Sequence, residues 1–283
     1  MGQLPLFEAH DDEESDRPSP RGVVYRETRT ILTPASGFMS DYDFTLNPYA
    51  GCTFGCTYCY AAFFARDAER QEDWGNWVEV KENAVALLQR MRQSLAGKSI
   101  YLSSVTDPYQ PIERSLGLVR AILEQLVHHQ PRLMVQTRSP LVTRDIDILQ
   151  RFDHLRVNVT VTTDSERVRR AFEPQCPPND ARLDAVRQLV DAGLDVGVTM
   201  TPLLPLEDAE EFARRVASTG AQRFVAQPMH VASGRFVAGT RDQAVALSKE
   251  LGWDESAYER ALESLSEALP GLLTGKSGFG PPP

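Results

Sequence analysis

The chain has 283 residues, 42% hydrophobic and 24% charged, the balance of an ordinary globular protein. No apolar run approaches the ~20 residues that span a bilayer, and the polar, acidic first residues lack the apolar core of a secretory signal; a cytoplasmic protein with no membrane partner is expected. A net charge of −9 opposes broad attachment to nucleic acid, whose non-specific affinity comes from Lys and Arg neutralising phosphates.

In chain order, residues 1–22 combine Asp11, Asp12, Glu13 and Glu14 with Pro and Ser and show no periodicity, so they read as a disordered acidic tail. Residues 23–239 form the body. Its strand candidates are 44–50, 99–104, 132–137, 156–162, 195–201 and 223–227, and its helix candidates are 81–95, 114–128, 139–152, 180–192 and 207–219. Asp180 is placed to cap the helix 180–192, with Gly193 just past its end. Arginines concentrate in the middle third (Arg138, Arg144, Arg151, Arg156, Arg167, Arg169 and Arg170), where they form either a local basic face or solvated surface charges. Residues 240–273 read as amphipathic C-terminal helices, and 274–283, ending in GFGPPP, as a flexible tail.

Short β-branched strands alternating with helices mean βα units and a parallel sheet. Six such units predict an α/β fold of the open, partial TIM-barrel type, about (β/α)6, rather than a closed barrel of eight. Ligand sites of such sheets lie at the carboxyl ends of the strands.

The chemistry concentrates in the run from Asn47 to Tyr60, where Cys52, Cys56 and Cys59 stand in C-x3-C-x2-C spacing; the one other cysteine is Cys176. Three thiolates within eight residues can hold three corners of a cubane cluster and leave its fourth metal uncovered. A loop is required, because neither helix nor strand spacing points three sulfurs at one body, and Gly51 and Gly55 supply the backbone freedom. The rival reading is a structural zinc site completed by Cys176 or a histidine, although such sites usually carry a second C-x2-C pair. His230 follows the sixth strand at the same edge and is a candidate substrate contact or a satisfied structural histidine; Cys176 is a candidate catalytic thiol or a small loop residue. Glu173 and Arg182 flank a proline-rich loop, either as an ion pair closing it or as catalytic groups.

The segment NPYAGCTFGCTYCYA resembles the cluster loop of the radical S-adenosylmethionine (SAM) superfamily, and within it the branch related to spore photoproduct lyase, labelled as DNA-repair photolyases. The blocks VTDPYQPIER (105–114), QTRSPLVTRDIDIL (136–149) and FEPQCPPNDARLDAVRQLVDAGLDVGVTMTPLLP (172–205) are similar to the same branch and stand in its order. The resemblance implies a [4Fe–4S] cluster on Cys52, Cys56 and Cys59, SAM as co-substrate, reductive cleavage followed by hydrogen abstraction, and an electron donor such as a flavodoxin or ferredoxin. It places Tyr58 at the aromatic position that packs on the adenine, Thr106 and Asp107 as acceptors for an ammonium and ribose hydroxyls, Arg138 at the SAM carboxylate, and Thr160 and Thr162 within reach of the ribose. Each has a plainer reading as packing, turn cap or strand former. The branch's hydrogen-donating cysteine falls on Ser104 here, whose O–H bond is too strong to give up a hydrogen atom readily. The substrate is open between a nucleic-acid base or lesion and a small molecule or peptide. The alternative of another class is a non-catalytic iron–sulfur or zinc protein that transfers electrons or scaffolds a partner.

Overall fold

A computed structural model describes residues 22–230 and 239–283. The expected acidic tail therefore lies outside the described residues, apart from Gly22. The strands are β1 (Val23–Arg26), β2 (Leu32–Pro34), β3 (Phe44–Leu46), β4 (Tyr49–Ala50), β5 (Val78–Lys81), β6 (Ser99–Leu102), β7 (Arg132–Thr137), β8 (Leu155–Thr160), β9 (Val196–Met200), β10 (Arg223–Ala226) and β11 (Leu273–Thr274). Among the described residues they form an eight-stranded sheet ordered β11-β10-β9-β8-β7-β6-β3-β2 and a three-stranded sheet ordered β1-β5-β4.

From β3 to β11 every pairing in the large sheet is parallel, and only β2 runs antiparallel at one edge. Its two edges do not meet, so the barrel is open, as expected. The alternation of each strand sorts residues between two surfaces. Val157, Val159, Val196, Val198, Leu133 and Val135 point outward into the main hydrophobic core beneath the helices. Arg156, Asn158, Thr160, Gln136, Thr199 and Tyr101 occupy the alternate positions and face the concave side. There Tyr101 Oη donates to Gln136 Oε1 at 3.2 Å, and Gln136 Nε2 donates to Thr160 Oγ1 and Thr199 Oγ1 at 2.8 and 2.9 Å, a polar row crossing four strands.

Several expectations are corrected. The first strand, read as 44–50, is divided: Pro48 has no N–H to give a ladder, and Tyr49–Ala50 leaves the large sheet to pair with β5. The helix read as 114–128 is broken at Gly117, in the left-handed region at φ +61°. Residues 139–152 begin as a 3-10 turn over Pro140–Asp145 before the short helix Ile146–Leu149. Asp180 lies inside the helix Asn179–Asp191 rather than capping it; Pro178 is the preceding residue, and Asp180 pairs with Arg215.

The C-terminal segment is not a loose tail. β11 joins β10, and the turn Gly275–Phe279 follows it onto the concave side. Phe279 is buried in a cluster with Tyr42, Tyr101, Met134 and Val225. Tyr42 Oη donates to the Phe279 carbonyl at 2.7 Å, and Arg156 Nη1 to that of Gly280 at 3.3 Å. Composition suggested mobility, but one aromatic side chain closing the barrel floor fixes the segment. Phe279→Ala is expected to cost about 3 kcal/mol of unfolding free energy, read by urea denaturation; a loss below about 1 kcal/mol would contradict a closing role.

Candidate active site

The cysteine loop runs between β4 and the helix Ala68–Glu72, at the carboxyl edge of the large sheet. Two glycines shape it. Gly51 has φ +76°, and a Cβ there would lie 2.5 Å from the Trp77 ring; Gly55 has φ +60° and lies against Gly75. Neither position accepts a side chain without displacing its neighbour.

Side-chain amides and hydroxyls bind the loop to the strand ends. Asn47 Oδ1 accepts from the N–H groups of Ser104 and Val105 at 2.9 and 3.1 Å, joining the segment after β3 to the segment after β6. Gln110 Oε1 accepts from Thr53 N at 3.0 Å, its Nε2 donates to Thr106 Oγ1 at 3.1 Å, and Thr106 Oγ1 donates to the Gly51 carbonyl at 2.6 Å. Thr57 N donates to the Phe172 carbonyl at 2.8 Å, holding the loop against the helix Glu166–Phe172. Sequence reading missed Asn47 and Gln110 as loop clamps, although both sit in the quoted blocks; a buried amide beside a cysteine run was the available signal.

All four thiols are free; Cys52, Cys56 and Cys176 are buried and Cys59 is half-buried. Burial pushes the Cys52 thiol well up, with Asp107 and the neighbouring thiols adding to it. Burial likewise pushes Cys59 up to about 12. Cys56 goes the other way: the hydrogen bond with Cys176 and the Arg138 guanidinium lower it against the burial penalty.

Beside Cys56 lies a buried charge cluster centred on Glu173, which is 0% exposed. Its Oε1 accepts from Arg138 Nη1 at 2.8 Å, Tyr58 Oη at 2.5 Å and Thr162 Oγ1 at 2.9 Å. Its Oε2 accepts from Arg182 Nη2 at 2.5 Å. The expected Glu173–Arg182 pair is thus present, within a larger network. Burial alone would raise the Glu173 carboxyl, but Arg182, Arg138 and Tyr58 hold it at about 2. Arg138 Nη1 also donates to Cys56 Sγ at 3.2 Å.

The predicted site residues divide accordingly. Cys56, Tyr58, Arg138, Thr162 and Cys176 converge on or beside Glu173. Tyr58 has its ring under Arg138, whose guanidinium carbon lies 5.8 Å from the centroid. Asp107 is a buried staple, accepting from Thr137 Oγ1, Arg138 N and Tyr109 N at 2.7, 2.9 and 2.9 Å. Thr106 is engaged with Gly51 and Gln110, and Thr160 lies deeper, in the Gln136–Thr199 row. His230 is exposed, although the preceding Met229 packs into the apolar cluster around the cysteines.

The donor set fits an iron–sulfur cluster better than a single ion. Cys52, Cys56 and Cys59 of one short loop share one apolar cluster at the strand ends, and the sequence offers no second C-x2-C pair beside them.

The Glu173 network gives a test. Glu173→Gln leaves the buried Arg182 guanidinium and the half-buried Arg138 guanidinium without their carboxylate and is expected to cost about 3–5 kcal/mol. Because the native carboxyl lies near 2, below its ordinary 4.5, its stabilisation is complete above the ordinary value and is lost as pH falls through about 2. Wild type should therefore lose stability over that window more steeply than the variant in pH-dependent denaturation; parallel curves would contradict an ionised Glu173.

The radical SAM superfamily profile matches residues 46–217. An uncharacterised protein of Methanocaldococcus jannaschii is 35% identical over 162 residues, covering 57% of this chain and 61% of the relative. An uncharacterised protein of Acidianus two-tailed virus is 30% identical over 202 residues, covering 65% and 66%. The matches thus span under two thirds of these relatives' lengths. Among solved structures, a spore photoproduct lyase mutant superposes with a TM-score of 0.60 at 16% identity, over 94% of this chain and 88% of that one. Another mutant of that lyase, with bound AdoMet and dinucleoside spore photoproduct, gives 0.61 at 16% identity over the same shares. At such identity the likeness concerns the fold, an open α/β barrel. With more than half its length matched by the family profile, this chain belongs to the radical SAM superfamily.

Proposed function

We propose that the protein is a radical SAM enzyme in which Cys52, Cys56 and Cys59 hold a [4Fe–4S] cluster and Arg138, Tyr58, Thr106, Asp107, Thr160 and Thr162 form the surroundings of SAM. The observation that carries this reading is the anchored three-thiol loop at the carboxyl edge of an open parallel barrel, within the segment that matches the superfamily. Loaded with its cluster, such a site supplies one-electron cleavage of SAM and the hydrogen-abstracting 5′-deoxyadenosyl group.

The chain's own residues bind and orient. Arg138 offers a guanidinium beside the cysteine loop, suited to a carboxylate. Glu173 holds that guanidinium and the Tyr58 hydroxyl in place. Asp107 fixes the Arg138 backbone, so its contribution is to position rather than to wait as an open acceptor. Trp74, Trp77 and Phe172 pack around the loop and exclude water from it.

The substrate class is proposed from the fold likeness as a nucleic-acid base or lesion, with a small molecule or peptide as the competing class favoured by the −9 charge. Ser104 sits at the carboxyl edge after β6, its N–H bound to Asn47. A serine there does not favour hydrogen return from that position, so the reaction need not end as the lyase's does. The salt dependence of oligonucleotide binding separates the two classes. The electron donor is proposed to be a flavodoxin or ferredoxin.

Protein handled without oxygen and given dithionite and SAM is expected to release 5′-deoxyadenosine, and Cys52→Ala, Cys56→Ala or Cys59→Ala should reduce that release to background. An intact cluster with no 5′-deoxyadenosine would instead favour a non-catalytic electron-transfer protein.

A further inference from the structure

Cys176 is not needed by a three-thiol site, yet its Sγ lies 3.6 Å from Cys56 Sγ, in direct contact. Among the described residues no other pair of thiols lies within hydrogen-bond reach. Both residues lie outside helices and strands, where side chains can adjust. The two loops that carry them are nevertheless fixed side by side. Thr57, next to Cys56, donates through N and Oγ1 to the Phe172 carbonyl at 2.8 and 3.2 Å. Cys176 N donates to the Glu173 carbonyl at 3.1 Å, and Arg169 Nη1 donates to the carbonyls of Glu173 and Cys176 at 3.1 and 2.8 Å. The backbones thus hold the two loops side by side, and the thiols meet between them.

We propose that Cys56 and Cys176 are a reversible redox pair: when no iron holds Cys56, dioxygen oxidises the two thiols to a disulfide that withdraws Cys56 from cluster binding. Two S–H bonds break and one S–S bond forms; dioxygen takes the two electrons and two protons and leaves as hydrogen peroxide. A dithiol reductant returns both thiols and is itself left as a disulfide. The bond shields a cluster ligand from the irreversible sulfinic and sulfonic steps of thiol oxidation. Its effect on loading rests on the reading of Cys56 as a cluster ligand; the bond itself does not.

Two measurements on the full chain test this. After purification in air, non-reducing peptide mapping by mass spectrometry should find the Cys56 peptide joined to the Cys176 peptide, with the cross-link removed by dithiothreitol and absent from Cys176→Ser. Cys176 recovered as a free thiol, with any disulfide confined to Cys52, Cys56 and Cys59, overturns the proposal. In the second, ferrous iron and sulfide are supplied without oxygen or thiol reductant. Air-treated wild type should take up several-fold less iron than the same sample reduced beforehand, whereas Cys176→Ser, which keeps all three loop cysteines, should lose that dependence on prior reduction. Full iron uptake by cross-linked wild type overturns the effect on loading. If the cross-link forms but reduced wild type binds no iron, the redox pair stands and the cluster assignment falls.

Discussion

A carboxylate without access to solvent, Glu173, is the constraint on which the site depends. Two guanidiniums and a carboxylate withdrawn from water are stable only if nearly every charge is answered by a hydrogen bond at short range. Here Arg138, Arg182, Tyr58 and Thr162 answer it together. Those four groups come from the end of β7, the helix Asn179–Asp191, the cysteine loop and the segment after β8. One ion cluster therefore sets where the loop stands relative to the strand ends, and the sulfur of Cys56 is placed by the same guanidinium that Glu173 holds.

The barrel supports this by dividing its surfaces. The outward positions of β6 to β10 are mostly apolar and bury the helices, while the concave side carries hydroxyls, amides and arginines together with the apolar cluster around Phe279. The tyrosine–glutamine–threonine row on β6 to β9 lies below the cysteine loop, and the Phe279 cluster closes the floor. A polar interior that is sealed at one end and carries thiols at the other suits a reaction in which a reactive species must meet its substrate away from bulk water.

Much of the fold was legible because it follows from local periodicity. The run from Leu155 to Thr160 alternates valines with polar residues, which reads directly as a strand with one face on helices. All six expected parallel strands are present, with β11 and the antiparallel β2 added at the two edges and β1, β5 and β4 in a sheet of their own. The errors have physical causes that a window of sequence does not carry. Pro48 redirects a strand, Gly117 breaks a helix, Pro140 starts a 3-10 turn, and Phe279 finds a partner 237 residues away in Tyr42. The grouping of Cys52, Cys56 and Cys59 was visible in their spacing, and its reading as a cluster loop drew on the blocks that follow it in the sequence. The roles around it were less so, because Asp107, Thr106 and Thr160 each have partners that only the fold brings near. The joining of Glu173 to Tyr58 across 115 positions, and of Cys56 to Cys176 across 120, belongs to the same class of long-range facts.

The central claim is that the three loop sulfurs grip a cubane rather than a single ion. Metal and acid-labile sulfide analysis after anaerobic reconstitution tests it most directly. The account predicts about four irons and about four sulfides per chain, with the cluster lost when any one of Cys52, Cys56 or Cys59 is replaced. A single zinc per chain, or iron retained without sulfide, would contradict it.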